Sequence, residues 1–92
     1  MPITKEEFES WCFRNGGETR QEHAGPGILC WFPDADVPDR IHYFPDTNVF
    51  DVVTGGPFYS TRSALQDAET RIDKDDRLLI DTSDTRVIID PR

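Results

Sequence analysis

The chain has 92 residues, 36% of them hydrophobic, and its 18 acidic and ten basic side chains give a formal charge of −8. That length suits one domain over 1–92, which buries roughly 60–65% of the surface its unfolded chain exposes. The charge argues against nucleic acid as a partner, because counterion release needs clustered Lys and Arg. No apolar run approaches the roughly 18–20 residues that cross a bilayer, so no membrane partner is expected. The opening Met1-Pro2-Ile3-Thr4 lacks the apolar core and cleavage site of a secretory signal, and a cytoplasmic location is expected.

The first predicted element is a helix over about residues 5–15. Thr4 caps it, Glu7 completes a capping box, and Ile3 with Phe8 forms a hydrophobic staple. Phe8, Trp11 and Cys12 share one face, and Asn15-Gly16-Gly17 ends the helix. The polar stretch Glu18 to His23 reads as an edge strand. After the turn at Ala24-Gly25-Pro26-Gly27, the continuous apolar run Ile28 to Phe32 reads as a strand covered on both faces. Residues 33–40 form an acidic loop. Ile41 to Phe44 and Val49 to Val53 are strands of a hairpin turned by Pro45-Asp46-Thr47-Asn48.

Gly55-Gly56-Pro57 breaks the sheet, and a second helix is predicted over about 61–72. Thr61 or Ser63 caps it, Leu65, Ala68 and Ile72 give it an apolar stripe, and Asp67 pairs with Arg71. The C-terminal segment reads as a hairpin around Thr82 to Thr85. With Asp81 opposite Arg86, Leu79 faces Ile88 and Arg77 faces Asp90. Ile80 then faces Val87, and Leu78 faces Ile89. A slip of one residue destroys both the charge pairing and the apolar face. These elements imply an α+β fold, order α-β-β-β-β-α-β-β, with two helices packed on one face of a mainly antiparallel sheet.

Twelve Asp against six Glu, and eight Arg against two Lys, resemble the usage of proteins from salt-accumulating halophilic archaea. In molar salt the Debye length falls to about 3 Å, which screens the self-repulsion of such a surface. The order helix–strands–helix resembles that of double-stranded-RNA-binding domains and of small toxin ribonucleases. That resemblance implies an alternative reading as an RNA-directed hydrolase, with His23 as general base and Arg20 or Arg62 holding phosphate.

Four soft metal ligands, His23, His42, Cys12 and Cys30, match no zinc spacing. Asp34-Ala35-Asp36-Val37-Pro38-Asp39 lacks the central Gly and terminal Glu of a calcium loop. No metal or cofactor is expected, and Cys12 and Cys30 read as buried free thiols. No nucleophile elbow or phosphate loop is present. Ten aromatic residues exceed what so small a core holds, so some should form an exposed patch, and such patches mark interaction sites. Leu29, Trp31, Tyr43 and Tyr59 are the residues expected there. The sequence therefore points to a non-enzymatic binding or assembly module, with a protein partner or a second copy in a homodimer.

Overall fold

The computed structural model describes residues 3–21, 27–33, 40–54 and 61–90, with backbone alone at 54 and 61–63. Helix α1 (Lys5–Arg14) begins where its caps place it. Thr4 Oγ1 accepts from the Glu7 N–H at 3.1 Å, and the Glu7 carboxylate accepts from the Thr4 N–H at 3.0 Å. Ile3 and Phe8 are both buried, as a staple requires.

Five strands follow as an antiparallel meander: β1 (Glu18–Gln21), β2 (Ile28–Trp31), β3 (Arg40–Phe44), β4 (Val49–Thr54) and β5 (Thr61–Gln66). A second meander contains β6 (Glu69–Ile72), β7 (Leu78–Asp81) and β8 (Arg86–Ile89). Only Asp67 and Ala68 separate β5 from β6. Asp67 takes φ 53°, a left-handed conformation that Asp tolerates better than most residues, and there the chain leaves one sheet for the other. The last hairpin has the expected register, Asp81 opposite Arg86 through Leu78 opposite Ile89.

The fold class differs from expectation. The described residues form one short helix and two antiparallel sheets, so the molecule is mostly β rather than two helices on a sheet. The second helix is absent, because residues 61–72 form β5 and β6. Two forces decide this. Strand β4 needs a ladder partner, and β5 supplies one over six residue pairs. A helix of about twelve residues with three apolar side chains, by contrast, is marginal. With the second helix gone, the resemblance to RNA-binding domains and toxin ribonucleases loses its basis.

The core lies between the sheets and under α1. Phe8 meets Tyr43 edge-on at 5.3 Å, Tyr43 stacks on Phe50 at 4.3 Å, and Trp11 meets Phe32 edge-on at 5.5 Å. Leu78, Ile80 and Ile89 join the same buried cluster from the second sheet. Polar ties align the parts. The Ile3 N–H donates to Thr70 Oγ1 on β6, while its carbonyl accepts from the Tyr43 hydroxyl on β3, each at 2.8 Å. Trp11 Nε1 donates to the Asp76 carbonyl at 2.7 Å, and Arg14 pairs with the Asp76 carboxylate.

Cys12 and Cys30 are not free thiols but a disulfide between α1 and β2. Helix packing on the sheet brings their Cα atoms to 6.1 Å, inside the range a disulfide spans. Closing a loop of 18 residues restrains the unfolded chain by about 3 kcal/mol in the chain-entropy picture. The expectation failed because aromatic and aliphatic neighbours suit a buried thiol and a buried disulfide equally well.

Candidate binding surface

Strand alternation divides the five-stranded sheet into two faces. Ile28, Cys30, Ile41, Tyr43, Phe50, Val52 and Leu65 are buried and share the inner face through the register. Their neighbours in sequence point the other way. Across β1, β2, β3 and β4, one outer row reads Glu18, Trp31, Arg40, Val53, and the next reads Arg20, Leu29, His42, Asp51. Phe44 and Val49 extend the face at its far end.

Trp31 is the anchor of this face. It is 38% exposed, unlike Trp11, which is fully buried. The Arg20 guanidinium lies 6.0 Å from the Trp31 ring centroid, a cation–π contact that holds both side chains over β2. Arg40 is exposed directly across from Trp31 on β3, with Glu18 opposite on β1. Leu29, half-buried, lies on the same face of β2, opposite Arg20 and His42. Asp51 is only 6% exposed and sits opposite the half-buried His42. The arrangement offers an apolar centre flanked by cations, a surface that can hold a ligand. It contains no nucleophile beside a base.

The four expected surface residues are not all together. Leu29 and Trp31 share the outer face. Tyr43 is on the inner face, 2% exposed, with its hydroxyl committed to Ile3. Burial raises its pKa above the ordinary 10.0, and the Glu7 charge adds to this. Tyr59 and His23 lie outside the described residues, as do the acidic loop at 34–39 and Gly55-Gly56-Pro57. Of the arginines assigned to phosphate in the hydrolase reading, Arg20 covers Trp31, and Arg62 occupies the register position opposite Val53. Pairing of β2 with β3 brings Arg40 across from Trp31. Its signal is the β2–β3 register, which a sequence with a long intervening loop does not display.

Comparison with protein-family models, curated proteins and solved structures returned no match. The surface must therefore be interpreted from its own chemistry. Among the described residues, no group of three or more His, Cys, Asp or Glu is placed to hold a metal ion. No helix among them is long and apolar enough to cross a membrane. A cleft of about 430 Å³ between α1 and the second sheet is lined by Glu6, Glu7, Ser10, Arg14 and Ile72. Arg14 there is already engaged by Asp76, whose hydrogen bond raises its pKa.

Proposed function

We propose that this protein is a small non-enzymatic binding module acting through the outer face of its five-stranded sheet. The observation that carries the reading is Trp31. A second tryptophan was available to the core, yet this one is partly exposed, with Leu29 beside it and Arg20 over its ring. Large aromatics with an adjacent arginine are the side chains that dominate binding energy at protein interfaces. The charge of −8 keeps such a module soluble, and a salt-rich medium screens its self-repulsion.

The test is a fragment screen by NMR with small aromatic and aliphatic probes. Fragments collect where a surface has a binding hot spot, so shifts should concentrate on the Leu29 amide and the Trp31 indole N–H. They should vanish in the double variant Leu29→Ser, Trp31→Ser with circular dichroism unchanged. Shifts collecting on another surface, or unaltered in the double variant, would overturn the reading. Tyr43 is not a suitable target, because its replacement by a polar residue removes a core ring and the tie to Ile3.

A further inference from the structure

We infer that the outer edge of β8 is a self-association surface, on which a second copy of the chain lays its own β8 antiparallel about a twofold axis at Ile88. The pairing merges two three-stranded sheets into one continuous sheet. This edge is separate from the outer face of the five-stranded sheet, so the inference stands whether or not that face holds a ligand.

The backbone gives the first argument. Strand β8 ends the order β6-β7-β8, and no described strand pairs with its other side. The Thr82 N–H donates to the Thr85 carbonyl at 2.8 Å, which makes these two a hydrogen-bonded pair of the hairpin. Hydrogen-bonded and non-hydrogen-bonded pairs alternate along an antiparallel ladder. Val87 and Ile89 therefore direct their N–H and C=O groups at Ile80 and Leu78, while Arg86 and Ile88 direct theirs away from β7. Asp90 continues the alternation. An edge of outward donors and acceptors is a template for another strand.

Side chains give the second argument. Ile88 is 52% exposed, although Leu79 opposite it on β7 is buried. Arg86 and Asp90, two residues to either side of Ile88, are exposed and opposite in charge. The segment Arg86-Val87-Ile88-Ile89-Asp90 is thus complementary to its own reverse. With Ile88 opposite Ile88 of the second copy, Arg86 falls opposite the copy's Asp90, and Asp90 opposite its Arg86. These are the positions whose backbone groups face outward, so one register makes the hydrogen bonds, packs the isoleucines together and pairs the charges. A shift of two residues in either direction sets Ile88 against a charge. A shift of one brings in groups already bonded to β7.

The charged partners have capacity for the contact. Arg86 holds Asp81 through Nε and Nη2, at 2.6 and 3.3 Å, which leaves Nη1 for a carboxylate of the second copy. Asp90 is engaged within its own chain, and a carboxylate accepts from more than one donor. The excess of −8 lies elsewhere, because Arg86 to Asp90 sums to zero.

The experiment is sedimentation equilibrium over a range of concentrations in about 0.15 M potassium chloride, with amide exchange followed by NMR. A dimer is expected, with exchange at the Ile88 amide slowing as concentration rises. Arg86→Asp and Asp90→Arg each set like charges across the twofold axis and should each weaken association about tenfold or more. Mixed in equal amounts, the two variants should form a heterodimer, because every facing pair is then opposite in charge again. That recovery distinguishes a specific register from a folding defect. Ile88→Lys, at an exposed position, should be monomeric with circular dichroism unchanged. A chain that stays monomeric at millimolar concentration would overturn the inference. So would a dimer that persists in both Ile88→Lys and Asp90→Arg. A dimer that dissociates only in Leu29→Ser, Trp31→Ser would overturn it as well, and would assign self-association to the face of the other sheet.

Discussion

Gly17 stands where the chain turns from α1 into β1. A Cβ there would come within 2.9 Å of both the Cys12 carbonyl and the Phe32 ring, and closer still to the Cys12 sulfur. Neither the disulfide nor the buried ring can retreat, so Gly17→Ala should destabilise the fold by about 1–3 kcal/mol in urea denaturation. The residue reads in the sequence only as the end of a helix; the crowding arises because the same turn passes the disulfide. Asp73 is a second residue with a specific task. Its carboxylate accepts the backbone N–H groups of Asp75 and Arg77 and pairs with the Arg77 guanidinium. The Arg77 backbone hydrogen bond is the largest influence holding its pKa below the ordinary 3.8. A depressed carboxylate stabilises the folded state above pH 3.8, and that contribution is lost as pH falls through the lower folded value. An NMR titration of the Asp73 side chain should give a midpoint below 3.8, and Asp73→Asn should remove this part of the acid sensitivity.

Among the elements, those specified by local chemistry were legible. The capping box, the staple and the Phe8–Trp11–Cys12 face define α1 without reference to the rest of the chain. The last hairpin was legible to the residue, because charge pairing and aliphatic pairing agree on one register. Residues 61–72 misled for a geometric reason. Leu65 is inward on β5, and Thr70 is inward on β6, so the inward parity changes at the Asp67–Ala68 corner. A period-two pattern with a parity change imitates a helical stripe at Leu65, Ala68 and Ile72. The corner itself is testable. Asp67→Val places a β-branched residue at φ 53° and should cost about 1–2 kcal/mol in thermal or urea unfolding, whereas Asp67→Gly should cost little. The candidate surface was half legible for a related reason. An apolar run identifies Leu29 and Trp31 as strand residues, but only pairing shows that Tyr43 faces the core and Arg40 faces Trp31.

For the whole molecule, an excess of eight negative charges opposes compaction. Added salt has two opposing effects: it screens that repulsion, and it weakens the Arg–Asp pairs described at Asp76, Asp73, Asp75 and Asp81. Exposed ion pairs contribute little, so the repulsion should dominate. The urea midpoint should therefore rise with potassium chloride, most steeply below about 1 M, where the Debye length contracts from about 10 to 3 Å. A midpoint that falls with salt would show that the pairs matter more than the net charge.

The double tie at Ile3 has a consequence for how the molecule is made. Ile3 is synthesised well before both of its partners: Thr70, which accepts its N–H, is 67 positions later, and Tyr43, which donates to its carbonyl, is 40 positions later. At roughly 5–20 residues per second, the ribosome needs about 3–13 s to supply Thr70 after Ile3. Helix α1 can wind during this interval, but Phe8 and Trp11 have nothing complete to pack against. On the ribosome this chain is an early helix with an uncovered aromatic stripe, waiting for the second sheet, and that nascent state is where a chaperone would find most to hold.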